Sequence, residues 1–155
     1  MKPQTLLIGL LLGTAAFAQK QTTEAPVTTT VHLTEATRTL YVESDVTVIL
    51  TGNETSDVVI EGDARDLKTL RAKAADGTLS LFVPLESSAA RLKVYVPASQ
   101  LSKVYLFGKS VLRSETVLQN PKIKIILAGE SVVNVSSVGK VLIEGSDDFD
   151  FIKSR

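Results

Sequence analysis

The sequence predicts a mainly β domain, a right-handed β-solenoid with short, irregular rungs. Three observations predict it. From Val31 onward the pattern is β-like, with apolar and polar residues alternating in stretches such as Val46, Val48, Leu50 and Leu92, Val94, Val96. Turn residues punctuate those stretches. The C-terminal third also repeats itself. Lys103-Val104-Tyr105-Leu106-Phe107-Gly108 aligns with Lys124-Ile125-Ile126-Leu127-Ala128-Gly129 and with Lys140-Val141-Leu142-Ile143-Glu144-Gly145, the starts lying 21 and then 16 residues apart. Repeats of about 20 residues built from strand and turn are the signature of a solenoid. One rung cannot bury its apolar face alone, whereas stacked rungs share a continuous core. The alternative is an antiparallel β-sandwich made of the same short strands.

In chain order, residues 1–18 read as a secretory signal peptide. Lys2 gives the positive start, Leu6 to Ala15 the apolar run, and Ala16-Phe17-Ala18 the cleavage site. That run is short of the roughly 20 residues of a membrane span. Residues 19–30 are polar and Thr-rich and predict a flexible lead-in, leaving 31–155 as the domain. Leu40 to Leu50 is β-forming, Thr51-Gly52-Asn53-Glu54 a turn, and Val58 to Ile60 a short strand. Asp63 to Leu70 is the one short helical piece, with Asp63 at its cap and Leu67 and Leu70 on one face. Asp76-Gly77, between Thr69–Ala74 and Thr78–Val83, signals a hairpin. Pro84 to Ala90 is a loop, and the strand through Leu92, Val94 and Val96 stops at Pro97.

Composition narrows the chemistry. The 155 residues contain no Cys and a single His, His32. Disulfides, thiolate metal sites, cysteine nucleophiles, multi-histidine zinc sites and a lipid-bearing cysteine are therefore excluded. Charge is balanced, with 17 basic and 17 acidic residues, which argues against a general nucleic-acid binder. An exported chain without cysteine suits a bacterial envelope.

The repeat predicts faces. With Val104, Ile125 and Val141 in one interior ladder and Leu106, Leu127 and Ile143 in another, Lys103, Tyr105, Lys124 and Lys140 turn outward. Lys93 and Tyr95, on the preceding strand, are expected on the same face. Lysines about 4.8 Å apart on adjacent rungs repel by roughly 1 kcal/mol in water. An anionic polymer would relieve that repulsion, and tyrosine faces could stack on sugars. These six residues form the candidate ligand-binding face. Other clusters carry less. Asp147-Asp148-Phe149-Asp150 lacks the spacing of a calcium loop. Glu61, Asp63 and Asp66 are ordinary turn-side carboxylates rather than a glycosidase pair. His32 adjoins the lead-in, and the sequons at Asn53 and Asn134 mean little in a bacterial setting.

Four stretches together resemble a known family, the putative auto-transporter adhesin head domain, or GIN domain, of Gram-negative bacteria. They are Leu40 to Leu50, Val59-Ile60-Glu61-Gly62-Asp63, Asp76-Gly77-Thr78-Leu79, and the Gly-x-Ser corners Gly108-Lys109-Ser110 and Gly129-Glu130-Ser131. The likeness runs from about Thr39 to the C-terminus. It implies a β-helical fold, export and an adhesive or binding role. The expectation is thus a non-enzymatic envelope or surface protein without cofactor or metal. Its expected partner is a polysaccharide or another envelope or host macromolecule. An assembly module, self-associating through its terminal strand edges, is the alternative. A polysaccharide-active enzyme is a third reading, for which no convincing catalytic pair is present.

Overall fold

The computed structural model describes residues 26–33, 36–84 and 92–145. They form twelve strands and one short helix: β1 (Val27–His32), β2 (Thr39–Glu43), β3 (Thr47–Thr51), β4 (Asp57–Gly62), α1 (Ala64–Thr69), β5 (Arg71–Ala75), β6 (Thr78–Phe82), β7 (Lys93–Pro97), β8 (Lys103–Phe107), β9 (Val111–Ser114), β10 (Lys122–Ala128), β11 (Val132–Asn134) and β12 (Lys140–Gly145). The strands make two six-stranded sheets. The first has the order β1-β4-β7-β3-β9-β11, the second β12-β10-β8-β2-β6-β5. Both are mixed. Pairing is antiparallel at β1–β4, β4–β7 and β5–β6 and parallel at every other neighbour pair. The mainly β expectation holds.

The parallel pairs follow from the repeat. β8–β9 and β10–β11 are each a strand in the second sheet, a corner, and a strand in the first. β2–β3 is a third such unit, broken at Ser44-Asp45 inside the stretch that reads as one β-forming run. Inward residues align across the units. Leu79, Leu40, Val104, Ile125 and Ile143 form one ladder of the second sheet, and Leu81, Val42, Leu106 and Leu127 the next. Ile60, Val94, Val48, Leu112 and Val133 form the facing ladder of the first sheet. Nearly all are fully buried in one core cluster, and each large aliphatic side chain so buried is worth about 1.5–3 kcal/mol.

The third repeat unit departs from the expected alignment. Lys140 lies beside Lys122, not Lys124, and Val141 beside Ile123, so Ile143 continues the Val104–Ile125 ladder. A slide of two residues keeps every inward side chain inward, so apolar patterning alone cannot choose between the registers. Local packing chooses. The Lys140 amide donates to the Pro121 carbonyl at 3.0 Å. Gly139 lies so close to Asn120 and Pro121 that a Cβ there would sit 2.0 Å from the Asn120 carbonyl oxygen.

Corners are held by serines. Ser110 Oγ donates to the Ser44 carbonyl at 2.6 Å, Ser131 Oγ donates to the Gly108 carbonyl at 3.0 Å, and Ser44 Oγ accepts from the Val83 amide at 2.5 Å. The Gly-x-Ser spacing thus ties each corner to the one beneath it. On the opposite side, Asn120 Nδ2 reaches the carbonyls of Ala98 and Leu101 at 2.6 and 2.9 Å.

The hairpin forms as expected. β5 and β6 pair with Ala75 opposite Thr78, and Asp76 and Gly77 both adopt positive φ, 50° and 69°. That is the backbone of a two-residue hairpin turn. Helix α1 starts after Asp63, and Leu67 and Leu70 pack on the core. β1 begins within the segment that composition marks as a flexible lead-in. Its exposed Thr-rich residues pair along β4 from Val27–Gly62 to His32–Asp57, an edge pairing made mainly by backbone, with only Val31 packed against the core. The expected signal peptide, the 84–90 loop beyond Pro84, and the Asp147–Asp150 cluster lie outside the described residues.

Candidate functional site

Strand alternation puts Lys103, Tyr105 and Phe107 on the outer face of the second sheet. Parallel register then brings neighbours beside each. Lys103 lies between Thr39 and Lys124, Tyr105 between Tyr41 and Ile126, and Phe107 between Glu43 and Ala128. Lys122 and Lys140 are side by side on the next two strands. Four lysines therefore band the starting ends of β8, β10 and β12. Lys124 is held by Glu144 at 2.8 Å. Among the described residues Lys103, Lys122 and Lys140 have no ion-pair partner.

Beside the lysine band is an aromatic cluster. The Tyr41 ring lies 4.8 Å from Phe107 and 5.9 Å from Tyr105, tilted against both. Phe82, on β6 in the same row as Glu43 and Phe107, is exposed. At the start of β2, Arg38 lines an open recess of about 540 Å³ with Ala36, Asp76, Gly77 and Gln100. The Arg38 carbonyl accepts from the Ser102 and Lys103 amides, so recess and lysine band adjoin. The face therefore combines ammonium groups, which attract anions, with flat apolar rings that can stack on a ring-shaped ligand.

Of the six expected residues, Lys103, Tyr105, Lys124 and Lys140 share this face. Lys93 and Tyr95 do not: β7 belongs to the first sheet, so they face the other way. There Lys93 Nζ and the Tyr95 hydroxyl each donate to the Glu61 carboxylate at 3.1 Å. Those bonds, Lys93 first, hold the Glu61 carboxyl below its ordinary 4.5. Burial, and then the nearby carboxylate, push the Tyr95 hydroxyl up. Glu61 is thus a tied surface group. A carboxylate with a lowered pKa contributes stability that is present above its unfolded pKa and lost as pH falls through the lowered value. Glu61→Gln is accordingly expected to lower the melting temperature at neutral pH and to make no difference well below pH 4.5. Thermal melts of both proteins across that range check this.

Sequence reading missed Tyr41 and Lys122 as members of the face; alternation turns Phe107 outward beside Tyr105, although it is not among the six candidate residues. A signal for Tyr41 was present: Leu40-Tyr41-Val42 repeats the apolar-Tyr-apolar order of Val104-Tyr105-Leu106. Elsewhere, His32 pairs with Asp57 at 2.6 Å on the exposed β1–β4 edge, and Asp66 is buried in α1. No group of three or more His, Asp or Glu suited to a metal occurs among the described residues. No helix among them is long and apolar enough to cross a membrane.

Comparisons with known proteins agree with this architecture. A putative adhesin from Bacteroides fragilis superposes with a TM-score of 0.60 at 15% identity, covering 77% of this chain and 62% of that one. A putative adhesin from Parabacteroides merdae gives 0.55 at 13% identity, with 78% and 57% covered. A putative lipid binding protein from Parabacteroides distasonis gives 0.56 at 12% identity, with 80% and 60% covered. At such identities the likeness is one of fold, and this chain spans about three fifths of each of those structures. A search of curated protein sequences finds no match. Residues 38–147 match the family described as putative auto-transporter adhesin, head GIN domain. That match covers most of the chain, which therefore belongs to the putative auto-transporter adhesin head GIN domain family.

Proposed function

We propose that this protein is an exported, non-enzymatic, adhesin-like module that binds an acidic glycan on the outer face of the second sheet. The observation that carries the reading is the juxtaposition of the lysine band with the Tyr41–Tyr105–Phe107 cluster on one surface. Like charges on adjacent strands repel, by roughly 1 kcal/mol per close pair in water. A row of carboxylates or sulfates laid across Lys103, Lys122 and Lys140 reverses the sign of that contribution. The aromatic rings supply the apolar contact that a pyranose face seeks. Family membership supports a binding role at the cell surface or in an exported location. The leader at residues 1–18 is the proposed means of export, to the periplasm, the outer surface or beyond.

The parallel, in-register stacking of β6, β2, β8, β10 and β12 supports a β-solenoid rather than a sandwich, whose sheets are antiparallel. The right hand we assign to it follows the general preference of crossovers between parallel strands.

The test is binding of the mature chain to a panel of acidic and neutral polysaccharides at low and high salt. Binding to acidic members alone, weakened by salt, is expected. The double variant K103Q/K122Q is expected to lose about two- to thirtyfold in affinity, since each exposed lysine removed forfeits about 0.2–1 kcal/mol. Equal binding by the variant would contradict the reading.

A further inference from the structure

Among the described residues the strands of the second sheet end at β12, and its edge is self-complementary. We infer that β12 is a dimerisation edge, pairing antiparallel with β12 of a second copy about a two-fold axis at Leu142.

Three features of the strand lead there. The first is backbone direction. Lys140 turns its amide to β10, donating to Pro121. Alternation along an extended strand then turns the backbone groups of Lys140, Leu142 and Glu144 toward β10, and those of Val141 and Ile143 toward the open edge. In an antiparallel pair centred on Leu142, Val141 of one copy lies opposite Ile143 of the other. Both have outward amides and carbonyls, as a hydrogen-bonded pair requires.

The second is apolar exposure. Ile143 continues the ladder in which Val104 and Ile125 are fully buried, yet it is 41% exposed. It is an inward-facing residue with no strand beyond it among the described residues. The Val141–Ile143 pairing covers it twice over, once in each copy.

Charge is the third, and it fixes the centre. Lys140 and Glu144 are exposed on the outer face, two residues either side of Leu142. Centring on Leu142 sets Lys140 opposite Glu144 at both ends. Centring on Val141 or Ile143 sets each of them opposite an apolar residue or beyond the strand. Within its own chain Lys140 neighbours Lys122, a like charge, and has no ion pair among the described residues. The second copy supplies the missing carboxylate, and Glu144, already bonded to Lys124 at 2.8 Å, has a second oxygen to offer.

A two-fold axis normal to the sheet leaves both outer faces on one side. The lysine–aromatic surfaces of the two copies then form a single continuous face, and a polymer that bridges both gains avidity without a new contact. The dimer itself does not depend on the proposed ligand, so its test stands apart from glycan binding.

That test is the mass of the mature chain by light scattering and sedimentation over a concentration series, for wild type and two charge variants. K140E has two acidic groups on β12 and E144K two basic ones. Each alone sets like charges opposite at both ends, and its dimer is expected to weaken by at least about tenfold. Mixed one to one, the two variants set the acidic strand of one copy against the basic strand of the other. Opposite charges then meet at both ends, so a heterodimer is expected where neither variant pairs alone. Melting temperatures measured alongside show that both variants are folded. A wild-type chain that stays monomeric overturns the inference, and residues 146–155 of the same chain covering the edge would have that result. So does a K140E protein that dimerises as well as wild type, or a mixture that gains nothing.

Discussion

Gly129→Ala is expected to lower stability by about 2–6 kcal/mol, since backbone strain and overpacking each cost about 1–3 kcal/mol. For a chain of this size that is a fall in melting temperature of about 10 °C. Gly129 has a φ of 126°, a region side chains avoid. A Cβ built there would lie 2.5 Å from the Gly108 carbonyl oxygen and 2.6 Å from the Gly108 amide nitrogen. Both are backbone atoms of the corner beneath, and that corner is already tied by the Gly108 amide to the Ala128 carbonyl and by Ser131 to the Gly108 carbonyl. Neither can retreat without breaking the stack. Gly108→Ala is a built-in comparison. Its φ is also positive, at 87°, but its nearest obstacle is a side-chain oxygen, Asp45 Oδ1 at 3.2 Å. The smaller loss is therefore expected there. Thermal or urea melts rank the two, and a Gly129→Ala protein as stable as wild type contradicts the corner geometry.

Asn120→Leu comes second. Asn120 is 4% exposed and its side-chain amide serves the carbonyls of Ala98 and Leu101, with Ser99 at 3.3 Å. Leucine matches the volume and offers no donor. The Leu101 carbonyl is left unpaired, at about 1–3 kcal/mol, while the Ala98 carbonyl keeps the Leu101 amide at 3.0 Å. The neighbouring Gln119, exposed and bonded only to the Val117 carbonyl, is the control. Gln119→Ala is expected to change stability by less than about 0.5 kcal/mol. Equal losses at the two positions would remove Asn120 from its structural role.

The parts of this fold that the sequence reveals are those with period-two patterning or special turn chemistry. Asp76-Gly77 announces its hairpin, Asp63 the helix start, and the Lys-x-x-x-x-Gly units their strands. What sequence reading misses has physical reasons. The Ser44-Asp45 corner contains no glycine, so β2 and β3 read as one run. β1 sets only Val31 against the core, and its pairing with β4 is otherwise a backbone matter that composition does not register. The two-residue slide of β12 preserves every face and so leaves no trace in hydropathy. The candidate face shows the same division. Lys103, Tyr105 and Lys124 are found because one repeat aligns them. Lys93 and Tyr95 are placed wrongly because outward alternation does not say which sheet a strand joins.

The proposed site of the acidic glycan is the lysine–aromatic surface of the second sheet. The chain has three tyrosines and no tryptophan, and two of those tyrosines, Tyr41 and Tyr105, lie on that surface. In a Tyr95→Phe protein they are the only tyrosine emitters. Titrating that protein with an acidic polysaccharide while following tyrosine emission therefore reads binding at this surface. A saturable change in emission that high salt abolishes is expected. Glycan binding that calorimetry detects but the two tyrosines do not, or no binding by any acidic polysaccharide, would contradict it.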